Sequence, residues 1–169
     1  VTNIILENFA GSENDLLRLA ASVEKGSEHP LGEAILTEAN QRGLPLSEPQ
    51  AFRAEVGSGV VAEVDGQQIA VGNFRMAQAQ GWKIDSLQSE IDRLQDQAKT
   101  VMLVAIEGSV KGIIAVADTL KPGSKEAIAA LKSEGLTVVM IPGDNQQTAH
   151  AVAAQVGVDE VIAEVLPGD

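Results

Sequence analysis

The chain has 169 residues, 44% of them hydrophobic and 21% charged, a globular composition long enough for one domain or two small ones. Nucleic-acid binding is disfavoured, because it needs clustered cations and aromatic platforms. The chain has a net charge of −12, one Trp, three Phe and no Tyr. The absence of cysteine excludes disulfides and thiolate metal sites. No apolar run approaches the roughly 20 residues that span a bilayer. Because the chain opens on Val1 without Met, we expect a segment of a longer protein.

Apolar residues at helical spacing predict two helices near the start of the chain. The first covers residues 14–24, where Leu16, Leu19 and Val23 form the apolar stripe. Residues 27–29 lie in a connector, because the residue before a proline avoids the helical region. Pro30 suits the first position of the second helix, which Gly43 ends. The chain is therefore predicted to open with a helical hairpin.

The pattern then changes to the alternation that is typical of strands. A hairpin is predicted from residues 60–64 and 69–71, joined by Asp65-Gly66, a strong tight-turn signal. A polar amphipathic helix follows over 86–98, and a second hairpin over 101–106 and 110–116. An antiparallel sheet flanked by helical hairpins is an α+β unit, which we assign to residues 1–115.

Residues 116–169 are predicted to form a partial α/β domain of doubly wound type. A helix starts at Pro122, and the continuously apolar run 136–141 predicts a strand buried on both faces. Asp144 comes just after that strand and before a helix that carries Ala149 and Val156. Doubly wound sheets place their ligands at this point of the fold.

Glu24 and His29 are the first candidates for a binding site. A histidine in a short connector between helices has a fixed backbone, so its ring could stack on a purine. A nearby carboxylate could accept a hydrogen bond from the exocyclic amine of that purine. The alternative is that His29 is a surface residue near a helix start and Glu24 lies on a solvated face.

Gly57 and Gly59 lie in a sequence that fits the dinucleotide-binding fingerprint on paper, but a strand follows where that fingerprint needs a helix. Two glycines still let a ligand approach the backbone closely, although the spacing alone favours a glycine-rich turn or bulge that leads into the hairpin. Gly72-Asn73 follows the returning strand, and Asn73 could cap the next helix or offer its amide to a ribose or phosphate.

Asp144 is the most suggestive acid in the second half of the chain. A carboxylate there could bind Mg²⁺, which prefers one or two carboxylates together with phosphate oxygens, and Asp118 could share the site. The alternative for Asp144 is a helix cap. Lys121 could neutralise a phosphate, although most lysines are simply solvated.

Taken together, these residues resemble the heavy-metal-transporting P-type ATPases. Residues 27–32 match the Ser-Glu-His-Pro signature of that family, with Glu24 five residues before His29. Further matches in the same order are Gly57-x-Gly59, Gly72-Asn73, residues 118–122 and Gly143-Asp144-Asn145. The resemblance covers essentially the whole chain.

The resemblance implies a role for each matching residue. Glu24 and His29 would recognise adenine, Gly57, Gly59 and Val60 would lie against the nucleotide, and Gly72 with Asn73 would complete the pocket. Asp144 would help to bind Mg²⁺ in a haloacid-dehalogenase-like phosphorylation domain.

The longer protein would use ATP to move a heavy metal, with copper favoured, through an aspartyl-phosphate. This chain would be a cytoplasmic part of a multi-pass membrane protein, with further phosphorylation, actuator and membrane domains in the same chain. A metal-delivery domain is a candidate partner.

Two motifs of the family are missing from the chain. These are the Asp-Lys-Thr-Gly-Thr segment with the phosphorylated aspartate and the later Gly-Asp-Gly-x-Asn-Asp segment. Pro142 also replaces the usual Thr before Gly143-Asp144. We therefore expect ATP binding without turnover. Two rival functions are a soluble phosphohydrolase of the haloacid-dehalogenase type, which would need a D-x-D-x-T motif, and a non-catalytic interaction module.

Overall fold

The computed structural model describes residues 1–117, 123–141 and 146–162. It divides into two compact units, one made of residues 1–90 with 101–116 and the other of 91–100 with 117–169. Within the described ranges, no helix is both long and apolar enough to cross a membrane.

A six-stranded sheet runs through the first unit. Its strands are β1 (Asn3–Leu6), β2 (Gln50–Glu55), β3 (Gly59–Val64), β4 (Gln67–Gly72), β5 (Lys99–Ile106) and β6 (Ser109–Ala117). They lie side by side in the order β1-β6-β5-β4-β3-β2. The two strands at its edges were not predicted from the sequence. β1 pairs antiparallel with β6, opposing Asn3 to Ala115, and β2 pairs antiparallel with β3.

The two predicted hairpins are present. β3 and β4 are joined by Asp65 and Gly66, which have φ angles of 53° and 76°. Two consecutive residues with positive φ match the twist of the flanking strands, which explains why Asp-Gly signals a hairpin. Glu107 and Gly108 repeat the arrangement between β5 and β6, with φ angles of 50° and 73°.

The predicted helices of the first half are also present. The structure has α1 (Glu13–Glu24), α2 (Pro30–Gln41), α3 (Phe74–Gln80) and α4 (Gln88–Asp96), with a short 3-10 helix at Asp85–Leu87. α1 starts with a capping box in which the Ser12 side chain accepts from the Asp15 backbone and the Asp15 side chain accepts from the Ser12 backbone. α1 packs against α2, β3 and β4, and its side chains Leu16 and Leu17 are fully buried in the main core.

The described part of the second unit contains α5 (Ser124–Ser133), β7 (Val139–Met140), α6 (Gln146–Val156) and β8 (Glu160–Val161), besides residues of α4 and β5. β7 and β8 form a parallel pair. The prediction of a strand over 136–141 buried on both faces was wrong. The strand covers only Val139–Met140, and Leu136 and Ile141 are 55% and 61% exposed.

The prediction failed because too few neighbouring elements cover this strand. A strand is buried on both faces only when neighbouring strands and helices cover it. In the described residues β7 pairs with β8 alone, so the apolar side chains around it stay in contact with solvent. Asp118, Lys121, Pro122, Pro142 and Asp144 lie outside the described residues.

Candidate functional site

Glu24 is the last residue of α1, and its carboxyl is buried at the junction between α1 and α2. The residue is 3% exposed, and its Oε2 has no hydrogen-bond partner within the described structure. Burial raises the pKa of the Glu24 carboxyl above its ordinary value, and a hydrogen bond with the Ser27 side chain opposes that change. The alternative that Glu24 lies on a solvated face is therefore wrong. A buried acceptor without a donor costs about 1–3 kcal/mol, so the placement of this carboxyl needs an explanation.

Gly32, in the first turn of α2, forms the other side of this junction. A Cβ built on Gly32 would collide with Oε2 of Glu24 and would lie 3.2 Å from Oγ of Ser27. The carboxyl therefore occupies the volume that a side chain at position 32 would fill.

His29 caps the N-terminus of α2 from an extended backbone conformation. Its Nδ1 accepts a hydrogen bond from the Leu31 backbone N–H at 3.2 Å, and its own backbone N–H donates to Oγ of Ser27 at 3.2 Å. In the neutral ring the proton then lies on Nε2, because Nδ1 is an acceptor. His29 is exposed, so the cap fixes the orientation of a ring that solvent can reach.

Residues 57–59 lead from β2 into β3 and are called the glycine turn below. Gly57 lies between the two strands and Gly59 is the first residue of β3, with φ angles of 68° and 151°. Gly59 opposes Gly72 of β4, and a Cβ on Gly59 would collide with the Val71 carbonyl oxygen. A Cβ on Gly72 would in turn collide with Sδ of Met76. Close packing of β3 on β4 and α3 therefore requires glycine at both positions.

Asn73 links this glycine turn to α3. Its Oδ1 accepts from the backbone N–H groups of Arg75 and Met76 at 3.0 and 3.2 Å, which confirms the predicted helix cap. Its Nδ2 donates to the Gly57 carbonyl at 2.9 Å. One amide thus fixes the turn, the end of β4 and the start of α3 together.

Val60, the second residue of β3, is 6% exposed and pairs with Val71. Its side chain is part of the main core. Any contact of Val60 with a ligand would therefore involve the backbone.

The structure forms two clusters from the predicted residues, one around Glu24 and His29 and one around the glycine turn. β2 connects them. The Phe52 ring lies 2.8 Å from the Cβ position of Gly26, just after Glu24, and Glu55 of the same strand pairs with Gly59. Three residues of strand span about 10 Å, so both clusters lie within reach of one elongated ligand.

Sequence reasoning missed two residues of this region, Phe52 and Arg75. Nη1 of Arg75 lies 3.2 Å from the Cβ position of Gly57, and the guanidinium forms no ion pair with the described residues. An exposed unpaired cation beside the glycine turn is notable in a chain of net charge −12. The sequence gives no signal for this position of Arg75, because the position depends on α3, the helix that Asn73 caps.

Comparison with known proteins defines the class of this chain. A family model of the haloacid dehalogenase-like hydrolases matches residues 1–169, so the chain belongs to that family.

Its individual relatives are metal pumps. The chain is 45% identical to a copper-exporting P-type ATPase of Bacillus subtilis over 155 residues, 92% of this chain and 19% of that protein. It is 41% identical to a silver exporting P-type ATPase of Salmonella typhimurium over 167 residues, 99% of this chain and 20% of that protein. The chain therefore spans about a fifth of the length of these relatives.

Solved structures agree with this assignment. A zinc-transporting PIB-type ATPase in its E2.Pi state matches all of this chain over 27% of its own, with 37% identity and a TM-score of 0.69. The N-domain of HMA8, a copper-transporting P-type ATPase, is covered over 98% of its length by 69% of this chain, with 31% identity and a TM-score of 0.59. Within the hydrolase family, the chain is therefore similar to the catalytic region of heavy-metal-transporting P-type ATPases.

Proposed function

We propose that this chain is the ATP-binding cytosolic part of a copper-transporting P-type ATPase. Residues 1–115 form the nucleotide-binding domain, and residues 116–169 form part of the haloacid-dehalogenase-like phosphorylation domain. The fragment binds adenine nucleotide, and the phosphoryl group goes to an aspartate in another part of the pump.

The observation that supports nucleotide binding best is the unpartnered Oε2 of Glu24. A buried acceptor that lacks a donor fits a site that is completed by a ligand. The exocyclic amine of adenine supplies such a donor, whereas guanine has a carbonyl at the same ring position and repels the carboxyl oxygen. The site therefore selects adenine over guanine.

His29 provides the second contact with the base. Its ring is oriented by the hydrogen bond from Leu31 and is exposed, as stacking on a purine requires. Because Glu24 is only 3% exposed, the purine reaches it when the exposed connector residues around His29 shift. Binding thus involves a local rearrangement of residues 25–29.

The glycine turn contacts the rest of the nucleotide. Gly57 and Gly59 leave the backbone without side chains, and Asn73 holds the turn in place through the Gly57 carbonyl. Arg75 is the cation beside that turn, and its long side chain can reach the phosphates.

The remaining parts of the proposal rest on the resemblance to the metal-transporting ATPases. In the complete pump, Asp144 helps to bind Mg²⁺, and this fragment acts with the remaining phosphorylation, actuator and membrane domains of the same chain. Copper is the proposed transported metal, because most of the relatives with high identity are named as copper pumps. The fragment lies on the cytoplasmic side of the membrane.

Titration with ATP, ADP, AMP and GTP, followed by amide chemical shifts, tests the proposal. We expect ATP and AMP to shift Glu24, His29, Gly57 and Gly59 together, with additional shifts across residues 25–29, and GTP to do little. His29→Ala is the matched variant, because it removes the ring without touching the buried carboxyl. Shifts confined to residues around Asp144, or turnover of generic phosphate esters, would support a phosphohydrolase instead.

A further inference from the structure

Gly32 is a glycine that its own backbone does not require. It lies in the first turn of α2 and is absent from the residues with positive φ. Glycine is also the least favourable residue in a helix after proline. The reason for glycine at this position is therefore steric and not conformational.

The Glu24 carboxyl occupies the space that a side chain at position 32 would fill. Oε2 and Cδ of its carboxyl are the two atoms nearest to the Cβ position of Gly32, and Oγ of Ser27 is the third. Oε2 is also the one side-chain atom in the described structure that is buried without a hydrogen-bond partner. The missing side chain and the unpartnered carboxyl oxygen thus share one small volume.

We infer that Gly32 is a positioning residue: it leaves the room in which the Glu24 carboxyl is held for the base, and so determines adenine selectivity without contacting the nucleotide. The contact of Glu24 with adenine rests on the proposed function. The positioning of Glu24 by Gly32 rests on the geometry alone.

Alanine at position 32 separates this role from a role in folding. The atom it displaces is the end of a flexible side chain, which can rotate towards solvent without moving backbone. Alanine also favours the helix, so we expect Gly32→Ala to fold. What it loses is the buried place of the carboxyl.

The first measurement is a carboxyl ¹³C NMR titration of Glu24, which needs no nucleotide. We expect the raised pKa of Glu24 to return towards its ordinary value in Gly32→Ala, because the carboxyl becomes solvated. Thr37→Ala is the matched control, since it also raises helix propensity, at an exposed position of α2, and leaves Glu24 in place.

The second measurement compares ATP and GTP affinities of the same variants. We expect Gly32→Ala to weaken ATP binding about tenfold, as loss of one well-placed buried contact would, with the weak GTP affinity unchanged. Combining Gly32→Ala with Glu24→Ala should add no further loss, because the carboxyl that alanine displaces is already gone.

The outcomes are distinguishable. If the pKa falls but wild type binds no nucleotide, the positioning role stands and the proposed function fails. If ATP affinity falls while the Glu24 pKa stays raised, Gly32 acts by contacting the ligand, and the inference is overturned. An unchanged pKa with unchanged affinity overturns it equally.

Discussion

Glu24 makes the stability of the first unit depend on pH in a direction that can be worked out. Burial raises its pKa, so the folded chain keeps a proton that the unfolded chain releases at lower pH. Stability is therefore lost as pH rises from the ordinary value of 4.5 through the raised value. The lowered pKa values of Asp15, Asp65 and Asp159 have their effect on the acid side of 3.8, outside this window.

The variant Glu24→Gln tests this, because it keeps the shape of the side chain and cannot ionise. Urea unfolding across the same pH range should show wild type losing stability relative to Glu24→Gln as pH rises. Below the window the difference should become constant. A difference that does not vary with pH would mean that the folded state does not perturb the carboxyl.

The position of Arg75 beside the glycine turn leads to a prediction about phosphate binding. Arg75→Gln should weaken ATP binding roughly fivefold, since an exposed charge contact contributes up to about 1 kcal/mol, and should change AMP binding less. The effect should shrink with added salt. Lys83→Gln removes the same charge from an exposed position after α3 and serves as the control. Equal effects of both variants would reduce the role of Arg75 to net charge.

At the scale of elements, Asn73 connects the β2–β3 turn to α3, and its two functions can be separated. Asn73→Asp keeps an oxygen to cap α3 but loses the donor to the Gly57 carbonyl. We expect Asn73→Asp to retain the helix and to weaken nucleotide binding, because the turn is released. Asn73→Ala should lose both, at a cost of about 1 kcal/mol in stability for the cap. Calorimetric titration and thermal unfolding of the two variants measure these effects, and wild-type affinity in Asn73→Asp would contradict the role given to the turn.

Gly59 and Gly66 form a natural pair for testing the β3–β4 hairpin. Both have positive φ, but a Cβ on Gly59 meets backbone atoms of β4, whereas a Cβ on Gly66 meets nothing within 4 Å. Gly66→Ala should therefore cost only the backbone strain, roughly 1 kcal/mol. Gly59→Ala should cost about 1–3 kcal/mol more, because backbone must move to admit the methyl group. Urea unfolding of both variants decides this, and equal losses would mean that packing at Gly59 is not tight.

The elements that the sequence predicts well are those with local causes. α1, α2 and the two hairpins follow from apolar spacing, a proline, and Asp-Gly or Glu-Gly turns. β1 was missed because its partner is more than a hundred residues away, at Ala115. β2 was missed because Ala51 has positive φ and the register shifts between Gln50 and Arg53, so no clean alternation is visible.

The candidate site divides in the same way. Glu24, His29 and the glycines were found through their resemblance to a family, and local spacing alone left each of them ambiguous. Phe52 and Arg75 were missed because their places depend on tertiary contacts with Gly26 and Gly57. Burial of Glu24 was not foreseen either, since it results from the missing side chain at Gly32 on another helix.

At the scale of the whole molecule, every candidate residue in the described structure belongs to the first unit. A ligand that binds only the native state stabilises what it binds by about 2.7 kcal/mol at a hundred times its Kd. We therefore expect saturating ATP to slow native-state hydrogen exchange of the core amides in α1, β3 and β4 by up to about a hundredfold. AMP should do nearly the same, and GTP at equal concentration should do little.

The amides of α6 provide the internal control for this experiment. They belong to the second unit, so ATP should leave their exchange unchanged if nucleotide is held by the first unit alone. Equal protection of α6 and β3 would contradict this, because it would mean either that the two units unfold as one or that the second unit takes part in binding. The Glu24→Ala variant helps to separate these two outcomes, since at the same ATP concentration its roughly tenfold weaker affinity should lower the protection of α6 and β3 alike, about tenfold, if binding depends on the α1–α2 junction alone.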